Sequence, residues 1–225
     1  MVRFTYYGHS CFLIEGSKGK IIIDPFLKGN PHIKVSPNEI LVNAVLVSHA
    51  HADHVGDAVE IAQKNKAPII GVYELVKKLK SQGATGHEMN IGGSHQFEFG
   101  EVTLTFAAHS CGFEDGTYGG SPCGFIIKMD NKTIYHAGDS GLVQDMKLIG
   151  EFKKMDFAFL PIGDNFTMGV DNAVIAADYI NCNKIIGMHY DTFGFIKIDH
   201  KEAKEKFNRA GKELILLNIG ETKEI

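Results

Sequence analysis

The chain reads as an α/β protein of four layers, αββα, with two sheets face to face and helices outside both. Three observations predict this. Short apolar or alternating runs recur along its 225 residues, separated by Gly, Pro, Asn or Asp. A succession of strands and then helices occurs once in each half, with no tandem repeat of short period. Six strand exits carry His or Asp, as expected where a site is built from loops at one edge of a rigid sheet.

Arg3 to Tyr7 alternates, and Gly8-His9-Ser10 breaks the pattern. Cys11 to Ile14 and Lys20 to Ile23 read as strands turned at Gly16 to Gly19, the second closing at Asp24-Pro25. Residues 26–42 form an irregular loop punctuated by Gly29, Pro31 and Pro37, fit to be a lid, a substrate wall or a connection. Ala44-Val45-Leu46-Val47 is a buried strand, and a helix period runs from His54 through about Lys64. Pro68 to Gly71 is a short strand, and Glu74 to Gln82 a helix stopped at Gly83. Strands return from Thr85, with His95 to Phe99 and Val102 to Ala107 alternating, before a loop over 110–122. Gly124 to Met129 and Thr133 to His136 make a hairpin turned at Asp130-Asn131. A helix from about Leu142 to Phe152, the strand Phe157 to Leu160 and a turn-rich loop Pro161 to Gly169 follow. The rest is a helix from Asp171 to about Ile180, the strand Lys184 to Met188, a helix near 201–208 and a strand Leu214 to Leu217. No linker divides the chain, so 1–225 is expected to be one domain.

Apolar residues make up 44% of the chain and charged ones 22%, which marks a globular protein. The net charge is −4 with no dense basic run, which gives a nucleic-acid partner little support. No apolar stretch reaches membrane-spanning length, and the N-terminus lacks a signal-peptide core, so the expected address is the cytoplasm. The four cysteines (Cys11, Cys111, Cys123, Cys182) form no C-x-x-C pair and read as free, mostly buried thiols. The expected partner is a small-molecule substrate, and self-association into a homo-oligomer is left open.

The densest chemistry lies in Ser48-His49-Ala50-His51-Ala52-Asp53-His54, directly after the 44–47 strand. His49 and His51 are two apart, so in extended backbone they leave on one side, whereas Asp53 and His54 start a helix and point elsewhere. Packing gives no reason to crowd three imidazoles, and two ligand pairs aimed in two directions suit two neighbouring metal ions. His109, Asp139, His189, Asp24 and His9 close other strands. Each alone is as consistent with a satisfied structural side chain; as a set they point to one centre.

The order H-x-H-x-D-H, His109, Gly138-Asp139, His189 resembles the metallo-β-lactamase-fold hydrolases over nearly the whole chain. GHSCFLI, IIIDPF, HADHVGD, YHAGDSGL, DMKLIGE, LPIGDNFTMG and HYDTF resemble more closely a bacterial and archaeal family of metal-dependent hydrolases near the ascorbate-6-phosphate lactonases. The resemblance implies a metallo-β-lactamase-like αββα fold. It implies that His49, His51 and His109 hold one metal, that Asp53, His54 and His189 hold a second, and that Asp139 bridges them. Asp24 matches the acid that buttresses the metal loop. Five imidazoles and two carboxylates suit zinc first, and also manganese, nickel or iron. Two such ions ~3.5–4 Å apart share a water and generate the attacking hydroxide. The expected reaction is hydrolysis of an ester-like bond, a lactone or a phosphoester, in a small molecule. Asp53 is expected to orient the hydroxide, and His9, His136 or a metal-bound water to serve as leaving-group acid. His136 is as readily structural, and Asp164 and Asn165 either touch substrate or serve their own turn. Two alternatives stand beside this: a phosphodiesterase acting on nucleotides or nucleic-acid ends, and a non-catalytic metal-binding or sensing protein. The chain lacks a basic insertion like the tRNA-processing arm of ribonuclease Z relatives and the extra helical domain of glyoxalase II. It has His51 where flavodiiron proteins typically have Glu.

Overall fold

A computed structural model of the chain describes residues 1–224. One sheet contains β1 (Arg3–Tyr6), β2 (Phe12–Gly16), β3 (Gly19–Ile23), β4 (Ala44–Leu46), β5 (Pro68–Val72) and β6 (Thr85–Met89), with β14 (Thr222–Glu224) outside β1. The other contains β7 (Ser94–Phe97), β8 (Gly100–Phe106), β9 (Cys123–Met129), β10 (Lys132–His136), β11 (Phe157–Pro161), β12 (Lys184–Met188) and β13 (Glu213–Ile215), in that spatial order. The two sheets share one pairing scheme. β14, β1, β2 and β3 pair antiparallel and β3 to β6 parallel. β7 to β10 pair antiparallel and β10 to β13 parallel. The recurrence of strands then helices in the sequence is this repeated scheme.

The central parallel strands carry apolar runs because both of their faces are covered, whereas the edge strand β6, Thr-Gly-His-Glu-Met, is half exposed. Ile21, Ile22, Ile23, Val45, Leu46, Ile69 and Ile70 are fully buried in one sheet, as are Ala158, Phe159, Leu160, Ile185 and Ile186 in the other. The sheets meet through aromatic rings. Phe159 of β11 packs edge-on to Phe4 of β1 at 5.2 Å and lies 4.3 Å from Phe12 of β2. Helices α1 (Ala52–Val55), α2 (Ala58–Asn65) and α3 (Tyr73–Ser81) belong to the first half, and α4 (Asp145–Phe152), α5 (Val170–Tyr179) and α6 (His200–Arg209) to the second. None of the helices among the described residues is long and apolar enough to cross a membrane.

Several elements differ from expectation. The single helix expected from His54 is two, broken at Gly56. Gly56 has φ 40° and a Cβ there would sit 2.4 Å from the Pro25 carbonyl oxygen, so the break admits the 25–28 loop. Asp57 fastens that loop, donating its N–H to Pro25 O and accepting the N–H groups of Leu27 and Lys28. The last predicted strand is shorter, Glu213–Ile215. β14 is three residues, Thr-Lys-Glu, too short and polar to show a period. The 26–42 loop contains one 3₁₀ turn, Pro37–Glu39, capped by the Ser36 side chain.

Candidate metal centre

The strand exits at one edge converge. β1 ends toward His9, β3 toward Asp24, β4 toward the 48–54 cluster, β8 toward His109, β10 toward Asp139 and β12 toward His189. Main-chain bonds tie these exits together, two of them from one sheet to the other. The His189 N–H donates to His9 O at 2.8 Å, and the Cys123 N–H to Ser48 O at 3.0 Å. The Gly141 N–H donates to Ala108 O at 3.0 Å. Gly138 makes the turn before Asp139 possible: its φ is +61°, and a Cβ would lie 2.4 Å from Cys123 O.

Donor atoms gather in three overlapping groups, each with its atoms within 4.8 Å of one another: His49, His51 and His109; His49, His54 and Asp139; and His9, Asp53, His54 and His189. Asp139 lies at the middle. Its Oδ2 is 2.9 Å from His189 Nε2, 3.3 Å from His54 Nε2 and 3.7 Å from His109 Nε2. His49 Nε2 and His51 Nδ1 approach to 2.9 Å. All seven residues predicted as ligands are thus brought together. His51, Asp53, His109, Asp139 and His189 face a cavity of about 620 Å³, whereas His49 and His54 lie beneath, fully buried.

Asp24 supports two of the imidazoles. Its Oδ1 accepts the Ser48 N–H at 2.8 Å, and its Oδ2 accepts the Ser48 hydroxyl at 2.7 Å and His54 Nδ1–H at 2.8 Å. The Ser48 hydroxyl, committed as donor to Asp24, can only accept from His49 Nδ1, 2.9 Å away. Both histidines therefore turn Nε2 toward the centre. His9 lies behind Asp53 and does not border the cavity. Its Nε2 is 3.0 Å from Asp53 Oδ2 and its Nδ1 3.0 Å from Thr192 Oγ1. A neutral His9 that donates to Asp53 accepts the Thr192 hydroxyl. His136 lies among Phe12, Phe125 and Phe159, its Nδ1 accepting the Gly138 N–H at 3.2 Å. All four cysteines are free and buried.

The protonation pattern suits cations. Burial pushes the His49, His51 and His109 imidazoles down, keeping their lone pairs available at neutral pH. Burial works against charge on Asp139, but the neighbouring His54 and His189 hold its carboxyl well below the usual range. His54 runs the other way: burial opposes its charge, yet Asp139 and Asp24 outweigh burial and raise it. These carboxylates ask for positive charge between them. His54 Nε2 and Asp139 Oδ1 are buried without a hydrogen-bond partner among the described residues. Neutral nitrogens, carboxylates and unpartnered donor atoms around one point fit divalent metal ions.

Asp164 and Asn165 do not line the cavity; both have positive φ, 62° and 55°, in the turn that carries Phe166 into it. The wall residues Phe166, Phe193 and Phe195 were not evident in the sequence, nor were Ser48 and Thr192 as supports. The only available signal for the rings was phenylalanine in turn-rich loops.

The fold and centre define a metal-dependent hydrolase. Residues 3–189 match the model of the β-lactamase superfamily domain. A UPF0173 metal-dependent hydrolase of Christiangramia forsetii is 47% identical, the match covering 100% of both chains. Another, from Pelotomaculum thermopropionicum, is 48% identical with the same coverage. Igni18, a metallo hydrolase from the archaeon Ignicoccus hospitalis, superposes with a TM-score of 0.89 at 36% identity, covering 100% of this chain and 99% of that one. The chain belongs to the β-lactamase superfamily, and within it to the UPF0173 metal-dependent hydrolases.

Proposed function

We propose that the centre holds two divalent ions, zinc first among them, and hydrolyses an ester-like bond in a small molecule. The observation that carries this is Asp139, a buried carboxylate lying between two groups of imidazoles at the floor of one cavity. His49, His51 and His109 would hold one ion, Asp53, His54 and His189 the other, with Asp139 common to both. When bound, such a pair supplies Lewis acidity and a solvent nucleophile at neutral pH. The chain's own residues prepare the place. Asp24 and Ser48 fix the ring faces of His54 and His49. His9, backed by Thr192, holds Asp53 toward the cavity and keeps its carboxyl ionised. His9 therefore reads as a positioning residue more than as a proton donor to the leaving group.

The test is metal content of purified protein, with esters, lactones and phosphodiesters assayed on the same sample. About two ions per chain, lost with activity in His51→Ala, is the expected result. A protein that stays metal-free after incubation with zinc and manganese refutes it. Cleavage of bis(4-nitrophenyl) phosphate without lactone opening would turn the assignment to a phosphodiesterase, and bound metal with no turnover to a sensor.

A further inference from the structure

The cavity's floor is polar and its wall is aromatic. Phe166, Phe193 and Phe195 share it with Asp53, Asp139 and His189. Phe195 is 80% exposed and Phe166 54% exposed, so most of both rings faces solvent. Large exposed apolar side chains gathered at a cavity mark a surface that something covers.

The rings are carried on built turns. Phe166 follows Asp164 and Asn165, and the turn closes where the Asp164 N–H donates to Met168 O at 3.1 Å. Phe195 sits in the 3₁₀ turn Gly194–Ile196, pinned by Asp191, whose N–H donates to Ile196 O at 2.8 Å and whose Oδ1 accepts the Ile198 N–H at 3.1 Å. Phe193 is backed by Phe26 at 6.4 Å and His9 at 5.4 Å. A wall held this way is pre-shaped for a flat apolar group.

Among the described residues, no lysine or arginine lines the cavity. An anionic group on the substrate away from the scissile bond would lie against phenylalanine with no cation to receive it. The volume, about 620 Å³, holds a molecule with one ring and a short chain.

We propose, resting on the hydrolase reading above, that the substrate is a neutral ester or lactone whose aromatic or branched apolar group packs against Phe166, Phe193 and Phe195. Water adds to the acyl carbon and the acyl C–O bond breaks. The acid keeps the water's oxygen, and the alcohol oxygen takes one of its protons, departing from an ester and staying tethered in an opened lactone.

The test compares 4-nitrophenyl phenylacetate with 4-nitrophenyl acetate, mono(4-nitrophenyl) succinate and 4-nitrophenyl phosphate on the metal-loaded enzyme. The phenylacetate is expected to exceed the acetate by about tenfold or more in kcat/KM, the increment of one covered ring. The succinate and phosphate are expected to fall below the acetate. Phe166→Ala and Phe195→Ala, at exposed positions, should bring the phenylacetate-to-acetate ratio toward unity, through KM more than kcat. A second readout needs no turnover: ligand-observed NMR of 2-phenylethanol and phenyl phosphate with chelator-treated protein. The alcohol should bind, more weakly in both variants, and the phosphate should not. Ester cleavage with no aromatic preference, or with the anionic substrates favoured, overturns the proposal and leaves the hydrolase reading intact. Binding of 2-phenylethanol at these rings with no ester cleaved keeps the apolar wall but overturns the ester substrate and the ester-hydrolysis reading with it.

Discussion

Asp24→Asn is the sharpest test of how the centre is held. Asp24 is fully buried and accepts three hydrogen bonds, from the Ser48 amide, the Ser48 hydroxyl and His54 Nδ1. Asparagine keeps the shape but replaces one acceptor oxygen by a donor. With the amide NH₂ at the Oδ2 position it opposes both the hydroxyl and the imidazole; flipped, it opposes the Ser48 amide. Hydrogen bonds to a charged acceptor contribute about 1.5–3 kcal/mol each, and breaking a buried charged pair costs about 3–5 kcal/mol. The expected loss in the chelator-treated protein is therefore about 3–5 kcal/mol, read from urea unfolding. Metal uptake, read by competition with a chromophoric chelator, should weaken about 10–100-fold, because His54 loses its orientation directly and His49 through Ser48. Ser48→Ala cuts only the second of these paths and should cost about 1–2 kcal/mol. An Asp24→Asn protein within about 0.5 kcal/mol of the parent with unchanged metal uptake would refute this account.

Gly138→Ala should destabilise by at least about 2 kcal/mol and lower metal uptake, since it adds left-handed strain to a contact of 2.4 Å with Cys123 O; unfolding curves and metal content decide it. His9 links stability to pH. Burial, with His189 and His54 adding to it against the Asp53 hydrogen bond, pushes its imidazole from 6.5 down to about 4. Its neutral form is favoured in the folded state, so its contribution is complete above pH 6.5 and is lost as pH falls toward 4, about 3 kcal/mol over that window. His9→Gln should flatten that part of the stability–pH profile of the chelator-treated protein, and a profile unchanged by the substitution would count against it. Because a cation must replace the proton that Asp139 and Asp24 favour on His54, metal uptake should release protons and tighten as pH rises; calorimetry in buffers of different ionisation enthalpy measures the release.

Much of the fold was legible because its parallel strands are buried on both faces and read as apolar runs, such as Ile21-Ile22-Ile23 and Val45-Leu46. The candidate ligands were legible because those runs stop at His or Asp. What escaped was set by contacts distant in sequence. The break at Gly56 exists because Pro25, 31 positions earlier, needs the space a side chain would fill. β14 forms because β1 offers it an open edge, not because Thr-Lys-Glu has strand character. The phenylalanine wall depends on loop backbone that no periodicity encodes. His9 was visible as a strand exit, but its place behind Asp53 follows from how the 189–198 loop brings Thr192 against it.

The backbone at the strand exits gives a reason why these residue types stand there. His9, Asp24 and His189 all have positive φ, at 55°, 45° and 54°. Left-handed backbone costs a non-glycine residue roughly 1–2 kcal/mol, so the three together cost about 3–6 kcal/mol, a large fraction of a typical domain's net stability. Glycine would remove that cost and lose the imidazole or carboxylate. Asn, Asp and His are the side chains that tolerate the left-handed region best, and Asp and His are also common donors to a divalent ion. A strand that must turn sharply at its end and place there a donor (His189) or a group that holds one (His9 on Asp53, Asp24 on His54) meets both demands with the same residue. The cross-sheet bond from the His189 N–H to His9 O, and the Tyr6 hydroxyl donating to that same carbonyl, keep two of these turns closed. Strain concentrated at the edge where the donors meet, and absorbed by bonds between the two sheets, is what a pre-organised centre requires.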